Sequence, residues 1–88
     1  MAIEQSASTK DQIREFILKD LASAKGVSSF SDQESLMESG IIDSLGIFRL
    51  VAFLEETFRV RIGDEEITHD NLKSVDSIEQ LVLAKTKK

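Results

Sequence analysis

The stretch from Ser44 to Phe58 constrains the fold most. Leu45, Ile47, Phe48, Leu50, Val51, Leu54 and Phe58 recur at helical intervals, while Arg49, Glu55 and Glu56 fall elsewhere. An apolar arc this broad needs cover on more than one side, so the spacing predicts a helix at the centre of a bundle. Asp43 is its expected N-cap, because a carboxylate there accepts from the orphan N–H groups of the first turn. The chain contains no proline and four glycines, with no repeat and no low-complexity linker, so one all-α unit is predicted.

The remaining segments are short enough to cover that central helix. A first helix is predicted from Thr9, where Thr9 and Gln12 have capping-box spacing, with Ile13, Phe16, Ile17 and Leu21 as its buried stripe and Gly26 as its stop. Val27 to Ile42 reads as a long loop pinned by Phe30, Leu36, Ile41 and Ile42. Connections of that length in a small domain are uncommon and often functional. Arg59-Val60-Arg61-Ile62 alternates like a strand but has no partner, so an extended segment with Val60 and Ile62 inward is expected. Thr68 to Leu72 is read as one helical turn capped by Thr68 and anchored by Ile67 and Leu72. A last helix follows, with Asp76 and Glu79 at capping-box spacing and Val75, Ile78, Leu81 and Val82 on its apolar face. The expected fold is three principal helices plus a short one. Its domain spans 9–85, between a flexible N-terminus (1–8) and a basic tail (86–88).

Composition narrows the function. A chain of 88 residues has room for one modest core, too small to enclose a deep substrate cavity together with a catalytic constellation, so no catalytic residue is assigned. No cysteine is present, which excludes a thiol nucleophile or a thiolate metal site within the sequence. The formal net charge of −5 argues against a nucleic-acid surface and for basic partner surfaces. Met1 to Thr9 is polar, neither a secretory signal nor a membrane span, so a soluble, cytoplasmic protein is expected. No metal ligand is assigned. His69 stands in a polar turn without a second strong ligand, and the consecutive Asp64, Glu65 and Glu66 read as a solvated acidic edge. Lys85, Lys87 and Lys88 read as a frayed helix end whose cations suit the negative pole of the dipole.

Three anchors in order carry a family resemblance. They are Gly40-Ile41-Ile42-Asp43-Ser44-Leu45, the run Leu50-Val51-Ala52-Phe53-Leu54-Glu55-Glu56-Thr57-Phe58, and Ile62-Gly63-Asp64-Glu65-Glu66-Ile67 followed by Asn71-Leu72-Lys73-Ser74-Val75 and Ile78. From Lys10 to Ala84 the chain resembles the acyl carrier proteins. The resemblance implies a non-catalytic carrier whose Ser44 receives a covalent 4′-phosphopantetheine arm from coenzyme A, through a phosphopantetheinyl transferase. It further implies acyl or polyketide-like cargo held as a thioester, a loading ligase, downstream acyl-processing enzymes, and a monomer that visits them in turn. An aminoacyl or peptidyl carrier shares the same scaffold, and an unmodified helical interaction module is the alternative outside the family's chemistry.

Partners of this family dock around the second helix, which makes Asp43, Leu45, Phe48, Arg49, Glu55 and Glu56 the candidate docking residues. Fatty-acid carriers tend to place acids directly after the serine. Here Gly46, Phe48 and Arg49 stand there, which implies a dedicated partner set in a specialised pathway. Two questions stay open from sequence: whether Leu45 is a contact or a core residue, and whether Arg49 docks or pairs with a nearby acid. Phe30, Phe53 and Phe58 are either core or the lining of a groove for cargo.

Overall fold

Asp43 ends the long loop and starts the central helix. Its backbone is extended (φ −108°, ψ −171°), its Oδ1 accepts from the Gly46 N–H at 2.8 Å and its carbonyl from the Ile47 N–H at 2.9 Å. In this computed structural model, which describes residues 8–86, four α-helices follow in order and no strand occurs among the described residues. They are α1 (Thr9–Phe16), α2 (Ser44–Phe58), the short α3 (His69–Leu72) and α4 (Val75–Thr86). The all-α bundle is therefore as expected. Residues 1–7, which make up all but Ser8 of the expected flexible N-terminus, and Lys87 and Lys88 of the basic tail lie outside the described residues.

The first helix is longer than α1 alone. It continues through a π-helical segment (Ile17–Ala22) and a 3-10 turn (Ser23–Lys25), then stops at Gly26, whose φ of 77° suits a residue without a Cβ. Its cap is Ser8, whose hydroxyl accepts from the Asp11 N–H at 3.1 Å, one residue earlier than the Thr9 read from spacing. Ser8 and Thr9 are both good caps, serine being the slightly stronger type, and Asp11 falls in the first turn under either. Ile13, Ile17, Leu21 and Ala22 are buried. Phe16 is half-buried and stacks on Phe53, ring centroids 4.3 Å apart.

The loop 27–42 is tied down where the sequence placed its anchors: Phe30, Leu36, Ile41 and Ile42 are all buried. The Leu36 carbonyl accepts from the N–H groups of both Ile41 and Ile42 at 3.0 Å, while the Leu36 N–H donates to the Lys73 carbonyl at 2.7 Å. Arg14 holds the loop from the other side. Its Nη1 donates to the Phe30 carbonyl (3.1 Å) and to Asp32 Oδ1 (2.7 Å), and its guanidinium lies 4.9 Å from the Phe30 ring centroid.

After α2 the chain turns at Arg59, the one non-glycine residue with positive φ (57°) among the described residues. Ile62 is buried and Val60 half-buried, in the extended segment expected. Thr68 caps α3 through the Asn71 N–H at 3.1 Å; Leu72 is buried and Ile67 half-buried. The cap of α4 corrects the sequence reading. Ser74, not Asp76, accepts from the Ser77 N–H (3.2 Å), and α4 starts at Val75. Asp76 instead sits in the first turn, held by Lys10 at 2.9 Å and Gln33 at 2.9 Å.

Helices α1 and α4 pack along one another, with α2 against both. Leu50, Leu54, Val75, Ile78 and Val82 are wholly removed from solvent in the seam between them. The acidic edge is only partly solvated. Glu66 pairs with Lys85 and accepts from the Gly63 N–H at 3.0 Å, so Lys85 ties α4 to the 3-10 turn Asp64–Glu66 and is not a frayed end. Among the described residues, no helix is long and apolar enough to cross a membrane.

Candidate functional site

Ser44 is the first residue of α2 and is exposed. It stands between buried neighbours: Ile41 and Ile42 precede it, and Gly46 follows in the same turn. That sequence of burial fixes the backbone on both sides of a hydroxyl that itself faces solvent. The cap uses the Gly46 N–H, which leaves those of Ser44 and Leu45 without a partner inside the helix at its positive end.

Asp43 is doubly held. The Gly46 N–H and then the Lys25 ammonium, 3.0 Å from Oδ2, keep its carboxyl below the ordinary carboxylate value. A negative group added at Ser44 would meet this carboxylate at close range. Lys25 answers that charge, so the end of the first helix takes part in the site. Sequence reasoning missed Lys25, because nothing in a chain links residues eighteen apart except the fold. It also read Gly46 only as a position where an acid is missing. A Cβ there would lie 3.3 Å from Asp43 Oδ1, 3.5 Å from Ile42 Cγ2 and 3.6 Å from Leu21 Cδ2, so the position is enclosed by the cap, the loop and the first helix.

The apolar arc of α2 divides into two faces. Leu50, Val51 and Leu54 point into the core, whereas Leu45 and Phe48 are 74% and 66% exposed. Hydrophobic residues this exposed, one turn apart and beside Ser44, form an apolar patch at the surface. Arg49 lies next to them, its Nη2 3.8 Å from Asp20 Oδ2, both groups largely exposed. The first turn of α2 contains no acid. Of the two acids further along, Glu56 is exposed, while Glu55 accepts from the Ile62 N–H at 2.9 Å and serves the turn after the helix.

The other candidates separate. Phe30 is buried under Arg14, while Phe53 and Phe58 meet edge-to-face at 6.2 Å beside Phe16, so the three do not line one groove. His69 is exposed, 3.8 Å from Asp70, and no cluster of potential metal ligands occurs among the described residues.

A helical bundle that presents one exposed serine at a capped helix start, beside an apolar patch, has the form of a carrier domain. Residues 11–82 match the family described as phosphopantetheine attachment site, and the chain belongs to that family of phosphopantetheine-binding carrier proteins. Its prosthetic group is 4′-phosphopantetheine, held covalently. The chain is also 36% identical over 47 residues to the D-alanyl carrier proteins of Streptococcus pyogenes serotype M5 (strain Manfredo) and serotype M1, covering 53% of this chain and 60% of each relative. It thus spans less than two thirds of the length of these curated relatives. The donor set fits the group: a free hydroxyl to esterify, N–H groups at a positive helix end, and a lysine beside them.

Proposed function

We propose that Ser44 is the attachment point and that the protein carries acyl or polyketide-like intermediates to partner enzymes in a specialised pathway. The exposed hydroxyl of Ser44 at the rigid start of α2 is the observation that supports this reading most. A phosphopantetheinyl transferase would join Ser44 Oγ to the 4′-phosphate phosphorus of coenzyme A. The pyrophosphate bond breaks, adenosine 3′,5′-bisphosphate leaves, and the hydroxyl proton passes to the transferase. When bound, the arm supplies a thiol on which cargo rides as a thioester. The chain itself presents Ser44, holds the helix end through Asp43, and offers Leu45, Phe48 and Arg49 as the surface partners read, with Glu56 further along. It acts as a monomer in the cytoplasm and catalyses no step itself; a loading ligase and downstream enzymes do.

A second reading, an aminoacyl carrier, draws support from the D-alanyl carrier relatives. The absence of acids in the first turn of α2 supports dedicated partners under either reading. Incubation with coenzyme A and a broad-specificity transferase, read by intact mass, tests the attachment. One added phosphopantetheine is expected for the unaltered chain and none for Ser44→Ala. No gain, where a known carrier is modified in the same tube, would instead favour an unmodified interaction module. A gain by Ser44→Ala would move the site. The species trapped on protein from its native host then separates acyl from aminoacyl cargo.

A further inference from the structure

A cleft of about 190 Å³ opens beside Ser44, between the end of the first helix and the start of α2. Leu21, Ala24 and Ile41 line its apolar part; Lys25 and Asp43 stand at the rim near Ser44, Asp20 and Arg49 at the other. Pockets that enclose whole drug-sized ligands run to roughly 300–1,000 Å³, so this one holds a fragment. A larger depression of about 550 Å³, along Leu18, Ser23 and Val27, includes neither Asp43 nor Leu45 in its lining, and the seam between α2 and α4 is closed to solvent.

Resting on the reading of Ser44 as attachment point, we propose that this cleft seats the base of the prosthetic arm, with the phosphodiester against Lys25 and the gem-dimethyl carbons against Leu21, Ala24 and Ile41. Ser44 directly follows Asp43, which Lys25 already contacts at 3.0 Å, so a phosphodiester on Ser44 would add a second anion next to that ammonium's partner. An ammonium has three donors. One serves Asp43 and the others are available to the phosphodiester, relieving the repulsion between the two anions. Beyond the phosphate the arm is branched and apolar for one short unit and then amide-bearing. The cleft follows the same order, apolar floor first and then the polar rim of Asp20 and Arg49. The contacts are individually weak, as exposed ion pairs are. The covalent tether raises the local concentration of the arm enough to populate them.

The test uses ¹³C,¹⁵N-labelled protein loaded from unlabelled coenzyme A, with loading confirmed by intact mass. Expected are filtered NOEs from the gem-dimethyl protons to methyls of Leu21 and Ile41, and amide shifts at Ala24 and Lys25 on loading. Shifts confined to 43–46 with no such NOE would overturn the placement. Ala24 is exposed, so Ala24→Leu keeps the fold and fills the cleft; loss of the NOEs supports the proposal, and their persistence refutes it. Lys25→Met retains an apolar stem, and an unchanged ³¹P resonance in the loaded variant would remove the phosphodiester contact. A chain that gains no mass overturns the carrier reading itself, and the placement with it, whereas a loaded chain without NOEs overturns the placement alone.

Discussion

Replacing Gly46 by alanine is expected to stabilise the protein, although the site is buried and close-packed. Glycine in a helix interior costs about 0.5–1 kcal/mol relative to alanine, mainly through backbone entropy, and in the first turn, where Gly46 stands, that range is the upper bound. Against this gain stand three contacts of the new methyl. Those at 3.5 Å to Ile42 Cγ2 and 3.6 Å to Leu21 Cδ2 are ordinary van der Waals distances. Only the one at 3.3 Å to Asp43 Oδ1 is tight, and that oxygen is the end of an exposed side chain. Its hydrogen bond from the Gly46 N–H is 2.8 Å long, short enough to lengthen toward the usual ~2.9–3.0 Å without being lost. The propensity gain therefore prevails, which corresponds to a rise of at most roughly 2–8 °C in Tm for a domain of this size. Leucine at the same position must push a branched chain against Leu21 and Ile42, and overpacking of that kind costs about 1–3 kcal/mol. Far-UV circular dichroism melts, with urea unfolding as a check on cooperativity, measure both variants. If Gly46→Ala melts lower than the unaltered chain and near Gly46→Leu, then the Asp43 carboxylate cannot give way and the account of this helix junction is wrong.

Two further outcomes follow from the same structure. Leu50→Ala should cost about 2–5 kcal/mol, as full truncation in a core does, whereas Phe48→Ala should cost only about 0.5–1 kcal/mol, since roughly a third of a Phe burial worth about 1.5–3 kcal/mol is at stake; equal losses in Tm would contradict the division of α2 into two faces. Asp43, Glu66 and Asp76 are held below their ordinary values of 3.8, 4.5 and 3.8, chiefly by the Gly46 N–H, Lys85 and Lys10 respectively. Each therefore contributes stability that is complete above its ordinary value and is lost as pH falls through its lowered one. The urea midpoint should stay level on acidification to about pH 5 and drop below that; a midpoint that rises in acid would refute these pairings.

Much of this was legible in the chain, for physical reasons that differ by element. Asp43 was readable as a cap, and Phe30, Leu36, Ile41 and Ile42 as anchors, because each acts within its own local backbone or as an isolated apolar side chain in a polar loop. The caps of α1 and α4 were misplaced by one or two residues. Ser8 and Thr9 compete on similar chemical terms, as do Ser74 and Asp76, and only the tertiary ion pair of Asp76 with Lys10 settles the second. The exposure of Leu45 and Phe48 could not be read. An apolar arc wider than the core it serves does not say which edge stays outside. Pairs such as Lys85 with Glu66, or Lys25 with Asp43, join segments far apart in sequence and exist only once the helices have packed.

The π-helical segment at Ile17–Ala22 bears on how this chain aligns with shorter ones. In a regular α-helix each residue turns the chain by about 100°, so an extra one swings everything beyond it off the core. A π-helical turn absorbs that residue locally. Leu21 and Ala22 remain buried on the side that Ile13 and Ile17 define. A first helix one residue shorter would align with its gap inside this segment, and its core positions on either side would still coincide.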